Sequence, residues 1–206
     1  CDFAPLHIPS HILGIRAMQV VLPQVPQVAV FDTAFHQSMA PEVYMYALPY
    51  EYYEKYRVRR YGAHGTSHKY VSQRAIRFAG LDPENSRIIT CHIGNGSSVT
   101  AVRNGKCFDT TMGLTPLDGL IMGTRCGTVD PATVFYLSRE GHYSIDEIDT
   151  MMNKQSGLAA ISGVSSDCRD IEAGPNDGDE RRQMAIYMWS YSAASQSAPK
   201  ATDTNE

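Results

Sequence analysis

Apolar positions recur along this chain with two different periods, and between them they predict most of its elements. After Pro9-Ser10, the segment His11–Val20 carries Ile12, Ile15 and Gln19 around an apolar stripe of helical spacing. Pro23 to Pro26 then lead into Val28-Ala29-Val30-Phe31, four consecutive apolar residues. Such a run predicts a buried strand, and it would deliver Asp32 at its C-terminal end, where α/β folds collect their chemistry. The run 69–76 predicts a helix with Val71, Ala75 and Phe78 on one face, Thr66 and Ser67 as candidate N-caps, and a stop at Ala79-Gly80-Leu81-Asp82-Pro83.

Period two takes over next. Arg87–Ile93 reads as a strand, Gly94–Ser98 as a turn and Val99–Val102 as a second strand. Asn104-Gly105 is a two-residue hairpin signal before a third strand, Lys106–Asp109. Asp130-Pro131 open a helix through Leu137, Ser144 caps another through Ile148 and Met152, and 179–191 form a last one with Met184, Met188 and Tyr191 aligned. Residues 192–206 hold almost nothing large to bury and read as an unstructured tail.

Composition narrows the class of molecule. With 43% hydrophobic residues among 206, the chain can build a core. Its net charge of -4 gives no general attraction to nucleic acid or an anionic membrane, although Arg57, Arg59 and Arg60 cluster locally. Five scattered cysteines without a C-x-x-C pair argue against a disulfide framework and fit reduced thiols in a cytoplasm. No apolar run reaches the roughly 20 residues that span a bilayer. A first residue that is Cys rather than Met suggests a fragment or a processed product. Six of the 12 tyrosines fall within 44–56, where packing is the expected use.

Three glycine-punctuated loops carry candidate chemistry. Arg60-Tyr61-Gly62-Ala63-His64-Gly65-Thr66-Ser67-His68 crowds a cation, two imidazoles and two hydroxyls before a helix, an arrangement suited to an anion such as phosphate. A structural loop whose histidines satisfy backbone carbonyls accounts for it equally well. His64 and His68 are four apart, but no third ligand accompanies them, so a zinc pair is disfavoured. His92-Ile93-Gly94-Asn95-Gly96-Ser97-Ser98 matches neither a Walker loop nor a G-x-G-x-x-G fingerprint, and standing alone it would be an Asn-Gly hairpin without a ligand. The stretch 109–127 is long, aperiodic and interrupted by glycines, with Arg125 between Gly123 and Gly127. Ser162–Asp170 adds Asp167 and Arg169 for polar recognition.

Taken together, five separated motifs carry a resemblance. Val30-Phe31-Asp32-Thr33-Ala34-Phe35-His36, the 60–68 loop, His92-Ile93-Gly94-Asn95-Gly96, Met122-Gly123-Thr124-Arg125 and Gly163-Val164-Ser165-Ser166-Asp167 occur in the order and spacing of acetate kinases. The resemblance covers roughly residues 1–190. It implies an α/β, ribonuclease-H-like (actin-like ATPase) fold with a mixed sheet flanked by helices. Residues 1–33 would end an N-terminal domain and 34–191 would form the main part of the second. It further implies ATP/ADP and Mg2+ as cofactors, acetate or another short carboxylic acid as substrate, a homodimer, and a cytoplasmic location without nucleic-acid or membrane partners.

Carried over by position, the resemblance makes Asp32, His64 and Arg125 catalytic, with His64 and Arg125 stabilising the phosphoryl group in transfer. His92, Ile93, Gly94, Asn95 and Gly96 would form the phosphate loop, Asp167, Cys168 and Arg169 would contact adenosine, and Leu6, His7 and Pro116 would fall at the acyl site. No residue here is assigned to metal, since the family's metal ligands lie mainly in segments that this sequence does not include. Departures from the family pattern are Ile8 for Asn, Ala63 for Phe, and Cys126-Gly127-Thr128 for Ser-Gly-Asp. Ala63 would enlarge the acyl pocket and admit propionate. A propionate or other short-chain acyl kinase, and a non-catalytic domain that dimerises or binds nucleotide, are the rival readings.

Overall fold

Residues 87–110 build the platform for everything else. In the structure, a computed structural model that describes residues 8–173 and 179–203, β1 (Arg87–Ile93), β2 (Ser97–Arg103) and β3 (Lys106–Thr110) form one antiparallel sheet in that order. Asn104 and Gly105 make the turn between β2 and β3 with φ of 53° and 72°, the left-handed pair that an Asn-Gly hairpin demands. A register shift between Ala101 and Val102 bends the ladder there. The chain is thus α/β with helices around a sheet, and the pairing among its described strands is wholly antiparallel.

One face of this sheet carries a stripe of buried hydroxyls beside its apolar residues. Thr90, Ser98, Thr100 and Thr110 are all buried, and Thr100 and Thr110 join oxygen to oxygen at 2.8 Å. That polar stripe decides how α4 (Gly65–Ala79) sits on β1. The helix turns His68, Ser72 and Ile76 inward, not the expected Val71, Ala75 and Phe78; Phe78 is 94% exposed. Hydrogen bonds from His68 to the stripe outweigh the apolar face, because a buried hydroxyl without a partner costs about 1–3 kcal/mol.

The sheet is packed by the 3-10 turn at Ala34–Ser38, by α4 and by the last helix, and further helices precede and follow it. Before α4 come α1 (Ile8–Val21), a 3-10 turn at Ala34–Ser38, α2 (Pro41–Tyr44) and α3 (Tyr50–Tyr56). The tyrosines do pack with one another, and Arg59 lies 3.5 Å over the Tyr44 ring. Beyond the long loop come α5 (Ala132–Glu140), α6 (Ile145–Lys154), α7 (Gly157–Ser162), α8 (Cys168–Glu172) and α9 (Glu180–Asp203). Ser144 and Glu147 form the full capping box at the start of α6. A second core joins Leu158, Ile171 and Ala185 with Ile161, Ile186 and Trp189. Here α9 meets α7 through Ala185, so Met184, Met188 and Tyr191 are left exposed.

Two expected features are corrected. Residues 192–203, expected to lack structure, continue α9, and Lys200 Nζ pairs with the Asp109 carboxylate on β3 with both side chains largely buried. Small residues such as Ala are good helix formers, and an ion pair to the sheet anchors the helix where apolar bulk is missing. Val28–Phe31 forms no strand, and Val28 is 83% exposed. A strand requires a neighbouring backbone, and the described strands pair only with one another. α1 forms as expected yet buries none of its residues.

Candidate active site

Asp32 and the 60–68 loop meet at the start of α4. The N-cap is His64, in the left-handed region at φ 59°, and Thr66 and Ser67 lie inside the helix instead. Asp32 Oδ2 accepts from the His64 N–H at 2.5 Å, and the Asp32 backbone oxygen accepts from the Gly65 N–H at 2.8 Å. The two amides expected to face phosphate at this helix N-terminus are therefore satisfied by Asp32, the His64 N–H by its carboxylate and the Gly65 N–H by its backbone carbonyl. Gly65 is needed for the approach, since a Cβ there would collide with the Asp32 carbonyl oxygen.

Arg60, the cation of that loop, turns away from the site. Its Nη1 donates to the carbonyl oxygens of Thr110, Thr111 and Met112 at 2.8, 3.1 and 3.2 Å, and Asp118 lies 3.8 Å off. It closes the end of β3. Ala63, in the same loop, is buried with Met112 and Met122 in one cluster, so this position packs into the core.

Three histidines cluster beside the sheet, two of them stacked and His68 tilted or edge-on to both. The His64 and His92 rings lie 3.9 Å apart at an interplanar angle of 22°, and His92 Nδ1 reaches Ser67 Oγ at 2.9 Å. His64 Nδ1 meets Ser98 Oγ at 2.9 Å, and the same hydroxyl meets His68 Nε2 at 2.7 Å. Burial, then the charge of His92 and of Arg125, pulls the His64 pKa down to about 4, and burial first, then the neighbouring histidines, takes His68 to about 3. Both rings are neutral at pH 7.

Arg125 is 9% exposed and faces the same point as His64. A Cβ built on Gly96 would lie 3.2 Å from Arg125 Nη2 and 3.3 Å from His64 Nε2, so the glycine leaves both groups access to the turn between β1 and β2. Arg125 Nη1 donates to the Pro116 carbonyl oxygen at 2.7 Å. The Gly123 N–H donates to the Asn95 oxygen at 3.0 Å, and a Cβ on Gly123 would lie 3.1 Å from the Ser166 Cβ. Four distant stretches, 32–36, 60–68, 92–98 and 113–127, thus converge, with 162–169 at their edge. Within the turn, one amide is used internally, the Gly94 N–H donating to the Gly96 oxygen.

Set against known proteins, residues 1–202 match the Acetokinase family. The chain belongs to that family. It is 55% identical to an acetate kinase of Lachnoclostridium phytofermentans over 193 residues, which is 94% of this chain and 49% of that protein. An acetate kinase of Agathobacter rectalis is 56% identical with the same shares covered. Among solved structures, the acetate kinase of Porphyromonas gingivalis superposes with a TM-score of 0.91 at 47% identity, covering 98% of this chain and 50% of that one. A propionate kinase from Francisella tularensis gives 0.93 at 48% identity, covering 98% and 52%. The chain spans about half the length of the curated relatives it matches.

Within this acetokinase chain the remaining assigned residues are more scattered. Asp167 caps α8 and forms a two-pronged pair with Arg169, which holds the Asp167 carboxyl at about 2. Cys168 opens that helix, and Leu6 and His7 lie outside the described residues. Among the described residues no group of three or more His, Cys, Asp or Glu is placed to hold a metal ion, and no helix is long and apolar enough to cross a membrane. The described cysteines, Cys91, Cys107, Cys126 and Cys168, are free.

Sequence reasoning missed what holds Arg125. The N–H groups of Ser156, Leu158 and Ala159 donate to the carbonyls of Thr124, Met122 and Gly123 at 2.9–3.0 Å. Gly157, at φ 65°, lets α7 approach, because a Cβ there would run into the Met122 oxygen. A glycine after Ser156 was the available signal. Thr90 was also missed, as a hydroxyl on a strand ordinarily reads as surface, and Ser98, read as part of the turn, stands in β2 instead.

Proposed function

We propose that the protein transfers a phosphoryl group reversibly from ATP to acetate, giving ADP and acetyl phosphate. The observation that carries this reading is the meeting of His64 Nε2 and Arg125 Nη2 over Gly96, two side-chain nitrogens converging on one turn. A transferring phosphoryl group spreads charge over its equatorial oxygens, and fixed donors in a partly desolvated site stabilise that charge. Arg125 supplies the cation, with Nη2 facing the turn while Nη1 is held by Pro116; His64, neutral at pH 7, supplies a hydrogen bond.

Acetate is already ionised at neutral pH, so Asp32 has no proton to remove from it. Its hydrogen bond to the His64 backbone supports a positioning role, holding the start of α4 and the acceptor in line. We infer that 92–96 cradles the phosphates, that 167–169 meets adenosine, and that Pro116 borders the acyl group through its contact with Arg125. Magnesium would enter with the nucleotide phosphates, offsetting their charge. Two copies per assembly and a cytoplasmic location accompany this reading, and free thiols fit a reducing compartment.

The test is to incubate the chain with ATP, magnesium and acetate and to trap acetyl phosphate as its hydroxamate. Product that disappears in Arg125→Ala supports the reading. Propionate and butyrate run alongside, because a propionate kinase is among the similar structures; a preference for propionate would replace acetate in the assignment. A chain folded by circular dichroism that yields no acyl phosphate with any of the three acids would leave a nucleotide-binding or dimerising domain instead.

A further inference from the structure

A chain of side-chain hydrogen bonds runs from the middle of the sheet to the site. Thr90 Oγ1 meets His68 Nδ1 at 2.7 Å, His68 Nε2 meets Ser98 Oγ at 2.7 Å, and Ser98 Oγ meets His64 Nδ1 at 2.9 Å. Thr90, His68 and Ser98 are each no more than 3% exposed, so water does not compete for these contacts. A neutral imidazole has one donor and one acceptor nitrogen, and a hydroxyl has a single proton. Ser98 Oγ could accept from both rings only by leaving its own buried proton without an acceptor, and once that costly arrangement is excluded the direction of one link fixes the direction of all.

Only two directions are consistent. In the first, Thr90 donates to His68 Nδ1, His68 Nε2–H donates to Ser98, Ser98 donates to His64 Nδ1, and His64 carries its proton on Nε2. In the second, Thr90 donates instead to the Thr100 carbonyl, every other link reverses, and His64 Nε2 is a bare lone pair. Both leave every ring neutral; they differ only in which nitrogen holds the proton. The Thr90–Thr100 contact is 3.4 Å, while Thr90–His68 is 2.7 Å, and the shorter geometry takes the proton.

We propose that Thr90, His68 and Ser98 fix His64 in the Nε2–H tautomer, so that it presents a donor at the turn beside Arg125. The reversed chain would aim a lone pair at that position and repel phosphoryl oxygens. His68 and Ser98 are positioning residues in this account, acting on the site through His64. The catalytic consequence rests on the phosphoryl-transfer reading; the tautomer itself does not.

The decisive measurement is a two-bond 1H–15N correlation spectrum of the 206-residue chain labelled with 15N-histidine, His64 being assigned by its loss in His64→Gln. The expected spectrum shows His64 protonated at Nε2, unprotonated at Nδ1. In Ser98→Ala a substantial share of His64 moves to the Nδ1–H form, and Ser98→Thr, which keeps the hydroxyl, restores it. Where acyl phosphate is formed, Ser98→Ala lowers kcat roughly tenfold or more at unchanged KM for ATP, the direction seen when a catalytic histidine holds the wrong tautomer. An Nδ1–H His64 in the native chain overturns the proposal even if a variant fails to fold, as does a tautomer indifferent to Ser98→Ala. Absence of acyl phosphate with the Nε2–H form present would count against the phosphoryl-transfer reading and leave the relay standing.

Discussion

Arg125 holds the carbonyl oxygen of Pro116 with one guanidinium nitrogen, Nη1 at 2.7 Å, while its other terminal nitrogen, Nη2, faces Gly96. The fork thus ties the long loop to itself and leaves one donor for a ligand. Arg125→Ala is expected to lower kcat for acyl phosphate formation about 100-fold or more, with a smaller change in ATP affinity. Arg125→Lys should recover little of it, because a single ammonium cannot serve Pro116 and a phosphoryl oxygen in two fixed directions. Steady-state kinetics with isothermal titration of ATP separate the two effects; equal losses in kcat and affinity would remove Arg125 from the transition state.

Gly157 and Gly105 share a backbone conformation, φ 65° and 72°, but not surroundings. Nothing lies within 4 Å of a Cβ at Gly105, whereas one at Gly157 meets the Met122 oxygen and sits 2.8 Å from the Arg125 oxygen. Gly105→Ala should cost about 1 kcal/mol, the strain of the left-handed region alone. Gly157→Ala adds overpacking and should cost about 3 kcal/mol, with activity falling further as Arg125 shifts. Urea unfolding midpoints compare the two, and similar losses would show that α7 does not clamp the Arg125 loop.

Lys200 reaches back to Asp109 from a helix segment with little apolar bulk. Lys200→Ala leaves a carboxylate largely buried without its partner, and a loss of about 3 kcal/mol is expected at pH 7. The double variant with Asp109→Asn should regain part of it. A thermal melt unchanged by Lys200→Ala would mean that the end of α9 contributes nothing to the fold.

Acid should destabilise the protein earlier than its carboxylates require. His68 titrates at about 3 when folded, against an ordinary value of 6.5, because burial and neighbouring histidines disfavour its cation. The unfolded ring takes up a proton first as pH falls, so stability present above 6.5 is lost on the way down towards 3. One such group contributes a slope of about 1.4 kcal/mol per pH unit. His64, pulled down to about 4, acts in the same direction. His68→Gln, which keeps hydrogen-bonding capacity without titrating there, should show a shallower fall between pH 6 and 4 in urea midpoints; an equal slope would rule His68 out.

Legibility followed the range of the forces involved. The β1–β2–β3 hairpins, the Asn104-Gly105 turn, the Gly80 stop and the Ser144 capping box depend on neighbours a few residues away, and the sequence states them outright. The motifs around Asp32, His64, His92 and Arg125 are likewise written in order along the chain. What that order does not contain is which face of α4 turns inward. Val71 and Phe78 look like core, yet a stripe of threonine and serine on the sheet draws in His68 instead.

By itself, then, the sequence determined the three hairpin strands, most of the helices, the family and the motifs that carry the candidate site, because propensity, turn chemistry and spaced motifs are local properties. Only the tertiary structure decided that Asp32 caps the helix meant for phosphate, that Ala63 belongs to a methionine-lined core, and that Lys200 binds the sheet. It also decided the chain of hydroxyls behind His64. Each of these joins residues far apart in sequence, where the outcome depends on competing partners for buried polar groups and on which surfaces the packed sheet leaves to be covered.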